Sequence, residues 1–152
     1  MRKAVVLLLA GMVLLCGQAP QMSAERRQAI MDYPLNLQRA NQLITVMKAM
    51  TQYVVGLPDF QERMRKSLTM TPAEQLAAIE KDPKAAAILK QNDLTARDCV
   101  IGVPALRMAL LAAQGVTGPN TIASPANIAF AKANMAELKP KMDAADGATA
   151  RK

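Results

Sequence analysis

The chain predicts an all-α fold: a single compact bundle of five or six helices around a central apolar helix at about residues 95–114. Three observations carry this. Apolar residues recur at three- and four-residue steps along most of the chain, helix-start residues stand ahead of each such stretch, and no segment alternates apolar and polar residues as a half-buried strand does.

The first element is an address. Arg2 and Lys3 precede an apolar run from Ala4 to Leu15, and small residues close the segment at Ser23 and Ala24, the layout of a bacterial secretory signal peptide. Twelve apolar residues at about 1.5 Å each make a helix of roughly 18 Å, too short for the ~30 Å hydrocarbon core of a bilayer. Cleavage after Ala24 is expected, with a mature chain that begins at Glu25 and resides in the periplasm or outside the cell. Cys16 follows Val13-Leu14-Leu15. Bulky Leu15 stands where a lipoprotein signal has a small residue, so lipidation is not the expected route. The chain thus divides into a leader (1–24), a helical domain (25–142) and a mobile tail (143–152).

Within the domain each helix has its own start. Asn36 caps a helix from Leu37 to Val55 whose stripe runs through Leu37, Ala40, Leu43, Ile44, Met47, Met50, Thr51 and Val54. Gly56 and Pro58 end it, and Pro58 is expected to open a short helix with Phe60, Met64 and Leu68 on one side. Thr71-Pro72-Ala73-Glu74 is a capping box for a helix to about Lys81, and Asp82-Pro83 restarts the chain as far as Gln91, with Asn92 closing it. Thr95 and Asp98 form a second capping box. From Cys99 to Ala113 the only charge is Arg107, so this helix is expected at the centre, between the Asn36 and Ser124 helices, with a kink where Pro104 removes a hydrogen bond. After a Gly/Pro/Asn/Thr loop, Ser124-Pro125 opens one last helix with Ile128, Ala131, Met135, Leu138 and Met142 inside. Pro140 is expected to bend or end it.

Charge and composition narrow the chemistry. Loss of Arg2 and Lys3 with the leader leaves 17 basic and 12 acidic side chains on 128 residues. The excess is moderate, densest at Arg63, Arg65 and Lys66, a candidate basic patch. Nucleic-acid recognition wants more charge and stacking platforms, and the mature chain has only Tyr33, Tyr53, Phe60 and Phe130. With no histidine, imidazole base catalysis and imidazole metal sites are excluded, and Cys99 alone can form neither a thiolate cage nor an internal disulfide. Cys99 sits in an apolar run that leaves its thiol inert. Neither a phosphate-binding glycine loop nor a serine nucleophile elbow occurs. No enzyme, cofactor or bound metal is expected.

Two features remain as candidate binding chemistry. Met47, Met50 and Met108 lie on apolar helix faces, where methionine makes an adaptable surface, and thioethers also ligate Cu(I). Arg107, alone in its helix, needs a carboxylate, a helix end or a bound anion. Together these residues suggest a ligand or partner groove beside the central helix.

Met70-Thr71-Pro72-Ala73-Glu74-Gln75 resembles the Leu-Thr-x-x-Gln motif of the small periplasmic stress chaperones related to Spy and CpxP, with Glu74 in the glutamine's place and Gln75 one step later. From about Tyr33 to Leu138 the chain is also similar to small exported all-helical proteins of proteobacteria with no assigned activity, through Tyr33-Pro34-Leu35, Asp82-Pro83, Leu94-Thr95-Ala96-Arg97-Asp98 and Ser124-Pro125-Ala126-Asn127. The resemblances imply an exported helical domain and carry no site. The expected function is a non-catalytic periplasmic binding or interaction module, with chaperone-like holding of clients as one version. The alternative is a carrier of a small apolar ligand or Cu(I) through the methionine-lined faces. The expected partner is accordingly a protein or a small apolar ligand, with no nucleic acid and no membrane span after signal cleavage.

Overall fold

Side-chain oxygens begin most of the helices. In the computed structural model, which describes residues 22–119 and 121–147, Ser23 caps α1 (Ala24–Met31) and Asn36 caps α2 (Leu37–Val55). After Asp59 comes α3 (Phe60–Thr69), with no side-chain cap bond. The Thr71/Glu74 capping box starts α4 (Pro72–Lys81), and Asp82 accepts from the amides of Lys84 and Ala85 to start α5 (Pro83–Lys90). A π-helical turn, Asp98–Gly102, runs into α6 (Val103–Ala113). Ser124 caps α7 (Pro125–Ala133), and α8 (Met135–Gly147) follows. There are eight α-helices and no strand among the described residues. The fold is all-α, as its periodicity predicts. Residues 1–21, most of the segment expected as a leader, lie outside the described residues, as do Asn120 and 148–152.

The helix count exceeds six for two reasons. Helix α1 was not anticipated, because its eight residues carry charge on most sides and only Ile30 is buried. The single last helix is in fact two. Asn134 turns its amide back onto the Phe130 carbonyl (2.8 Å), while its own carbonyl accepts from Glu137 and Leu138, so one residue ends α7 and begins α8. Pro140 neither ends nor replaces a boundary: α8 runs through it because Leu138, Met142 and Ala145 bury on both sides. Residues 143–147, assigned to the tail by composition, therefore continue the helix. Pro58, expected as a first helical residue, stands instead in the turn before Asp59, where Phe60 N–H donates to the Leu57 carbonyl (3.2 Å).

The central helix takes the predicted position. The π turn and α6 bury Val100, Ile101, Gly102, Ala105, Leu106, Met108, Ala109 and Leu110, and α6 packs against both α2 and α7. Pro104 acts through the π turn. It has no N–H to offer Val100, and the helix accommodates it by widening, with Val103 N–H donating five residues back to Asp98.

A second backbone device closes α5. Asp93 N–H donates to Lys90 and Leu94 N–H to Leu89, a Schellman pattern that puts Asp93 in the left-handed region at φ 53°. In this pattern Asn92 stands at the C-cap, next to the left-handed residue, and closes the helix. At the end of α6 the same position is held by Gly115 at φ 82°. Asp93→Gly relieves the Cβ strain of that conformation and is expected to stabilise the fold by roughly 0.5–1 kcal/mol, read as a raised midpoint in urea unfolding with unchanged slope.

Tyr33 ties three segments together. Its hydroxyl donates to Asp98 (2.6 Å), its carbonyl accepts from buried Asn127 on α7 (2.9 Å), and its ring lies against Gly102.

Candidate functional site

Of the residues expected to line a groove, Met47 and Met108 lie in the closed core. Met47 and Met108 are 4% and 5% exposed, and Met50 is half-buried against the same cluster. Arg107 donates through both terminal nitrogens to the carboxylate of Asp146 on α8, one bond measuring 3.1 Å, and Nη2 also lies 3.1 Å from Met47 Sδ. The guanidinium thus links α6, α8 and α2, and its charge is answered within the fold. It also directs positive charge at the thioether lone pair that a Cu(I) ion would need. Met47 and Arg107 are brought together, but as packing. Among the described residues no three His, Cys, Asp or Glu side chains are arranged to hold a metal ion. Burial, and secondarily Asp98, push the Cys99 thiol up to about 11, so it is protonated at neutral pH.

The basic patch lies elsewhere, on α3. Two of its members have partners one turn away: Arg63 Nε is 2.8 Å from Asp59, with Asp82 at 3.8 Å, and Lys66 is 2.7 Å from Glu62. Arg65 is exposed and has no ion pair among the described residues. Such solvated pairs add little to stability, because ordering two long side chains and screening by salt offset their attraction.

What distinguishes α3 is the other side of the helix. At 100° per residue Phe60, Met64 and Leu68 form one stripe, Arg63 and Arg65 lie on its two flanks, and Glu62 and Lys66 point away. Phe60 and Met64 are only half-buried and Leu68 is 42% exposed, and none of the three packs against the core. Every other described helix packs extensively against at least one element, whereas α3 does not. Helix α4 also has no fully buried residue, yet its Leu76 and Ile79 reach the core. Two long hydrogen bonds from the Gln75 amide, to the carbonyls of Ser67 (3.4 Å) and Met70 (3.5 Å), and the Arg63 contacts hold α3 in place. The stripe on one side of this helix is legible in the sequence, but what covers it is not. Four charges in ten residues leave too few apolar positions to anchor such a helix, and that was the available signal.

Beside α3 opens a polar cleft of about 440 Å³, lined by Tyr53, Arg63, Ala78, Lys81, Asp82 and Pro83. Tyr53 donates to the Asp82 carboxylate, with its hydroxyl 2.9 and 3.0 Å from the two oxygens, and Lys84 Nζ sits 5.0 Å from the Tyr53 ring centre. Burial pushes the Asp82 carboxyl up, but hydrogen bonds from the Ala85 amide, the Tyr53 hydroxyl and the Lys84 amide outweigh it and hold the group below its ordinary value. Asp82 is therefore ionised and already engaged, a cap and not a proton donor. A second open cleft of about 350 Å³, between α5 and the start of the π turn, has Leu89, Leu94, Ala86 and Ala96 in its walls. Neither cleft includes Met47, Met50, Met108 or Arg107.

Comparison with known proteins finds no family, no curated protein and no solved structure that matches the chain.

Proposed function

We propose that the chain is a non-catalytic, periplasmic binding module that holds apolar segments of client proteins through α3. The observation that carries this is the stripe of Phe60, Met64 and Leu68, amphipathic in pattern yet joined to no core. A helix so loosely attached can lift its stripe towards an extended apolar segment at little cost, and methionine at its centre adapts to varied side chains. Export is supported by the leader pattern of residues 1–24, and no described helix is long and apolar enough to cross a membrane. The residue inventory favours binding over catalysis, since the carboxylates with clear shifts, Glu74, Asp82, Asp98 and Glu137, serve three caps and an ion pair.

The test uses a fluorescently labelled globular protein kept unfolded by reduction and carboxymethylation. Burying one leucine contributes roughly 1.5–3 kcal/mol, so Leu68→Asp is expected to weaken client binding by about tenfold or more while leaving the thermal midpoint within a few degrees. Val116→Asp, at an exposed apolar residue of the α6–α7 loop, is expected to bind as the wild type does. Equal binding by the Leu68 variant, or no binding by the wild type, overturns the proposal.

A further inference from the structure

Ser23 and Ala24 close the leader by sequence pattern, but both belong to the folded unit. Ser23 accepts the Arg26 amide at Oγ (3.2 Å) and the Arg27 amide at its carbonyl (3.0 Å). Ala24 is the first residue of α1, and Met22 packs half-buried against the core. The short helix matters to the interior: Ile30 is fully buried, and α1 packs against both the π turn and α6.

A cut after Ala24 removes the cap and both acceptors, strips away the Met22 contact, and places a new ammonium group in the first turn of α1. There the helix dipole is already positive, and the amides that Ser23 satisfied are left open. Met22 is also bulky at the position third before that cut, where signal peptidases favour a small residue.

We infer that export processing, the hydrolysis of one peptide bond by water at a signal peptidase, falls upstream of Met22 and leaves Met22, Ser23 and Ala24 on the mature chain. Residues 16–21 contain the chemistry for it: Gly17 is a small residue ahead of a bond that no proline follows, unlike the Ala19–Pro20 bond, and Cys16 is a thiol able to take an acyl chain. The inference rests on export as proposed above but not on the role of α3.

The experiment is intact-mass analysis of the full chain expressed with its own leader in a bacterium and recovered from periplasmic and membrane fractions. A first residue between Cys16 and Met22 is expected, and an added acyl mass assigns it to Cys16. A first residue at Ser23 or beyond overturns the inference. A chain confined to the cytoplasm with its leader intact overturns export itself, which separates the two failures. The physical basis has its own check in two purified chains that begin at Met22 and at Glu25. The shorter is expected to melt roughly 3–8 °C lower, in line with loss of a cap and a packed side chain, and equal midpoints contradict the argument.

Discussion

Gly102→Ala is expected to destabilise the protein by about 3 kcal/mol, near the upper end for overpacking in a core, and to lower its thermal midpoint by roughly 10–15 °C. A Cβ at this position meets Tyr33 Cζ at 2.6 Å, the Tyr33 hydroxyl at 2.8 Å and Leu43 Cδ2 at 3.0 Å. The ring has no room to yield. Tyr33 is 4% exposed, its hydroxyl is pinned to Asp98, and its carbonyl is held by Asn127. Glycine is needed here for close approach, since its backbone is ordinary helix. Because the clash is specific to the ring, Tyr33→Leu in the Gly102→Ala background recovers part of the loss, which a thermal melt followed by circular dichroism will show. An unchanged midpoint for Gly102→Ala contradicts the packing described.

Asp98→Ala is the second large effect, about 2–4 kcal/mol. One carboxylate accepts the Tyr33 hydroxyl (2.6 Å), the Thr95 amide (2.7 Å) and the Thr95 hydroxyl (2.8 Å). Its removal takes away half of a capping box and leaves a buried phenol without a partner, each a loss of about 1–2 kcal/mol. A double-mutant cycle with Tyr33→Phe is expected to give a coupling of at least ~1 kcal/mol. The same site sets a pH dependence. Burial raises the Asp98 carboxyl, but the Tyr33 and Thr95 donors outweigh it and hold the folded-state value below the ordinary one. A depressed carboxylate contributes stability that is complete above its unfolded value of about 3.9 and is lost as pH falls through the lower folded value. Wild-type stability should therefore fall more steeply below about pH 4 than that of Asp98→Asn, measured by urea unfolding across the acid range.

These two residues show how far the sequence could be read. The Thr95/Asp98 box was legible because its partners lie three residues apart, and so were the Thr71/Glu74 box, the Asn36 cap and the bounds of α2. Such signals are local, and the backbone amides they satisfy are the same in any fold. The role of Tyr33 was not legible, because it depends on contacts with residues 65 and 94 positions away. Arg107 was identified as a charge in need of an answer. The answer, Asp146, lay in a segment whose composition resembles a tail, and the buried Ala145 beside it belongs to the same turn of α8. Pro104 and Pro140 both stand within helical stretches and have opposite consequences: the first is absorbed by a π turn, the second by an otherwise regular α8. For α3 the periodicity was legible and its relation to the core was not, since amphipathic pattern reports a face but not what covers it.

The proposal depends on α3 being the least anchored helix of the bundle, held by two long hydrogen bonds and the Arg63 contacts. Native-state amide hydrogen exchange read by mass spectrometry tests this most directly. Amides of residues 60–69 are expected to exchange through local opening, far faster than those of residues 43–47 and 105–110, which should open only with global unfolding. Addition of the unfolded client should slow exchange in α3 and leave the rest unchanged. If α3 is as protected as α6 in the free protein, or if the client protects another surface and not α3, the account is contradicted.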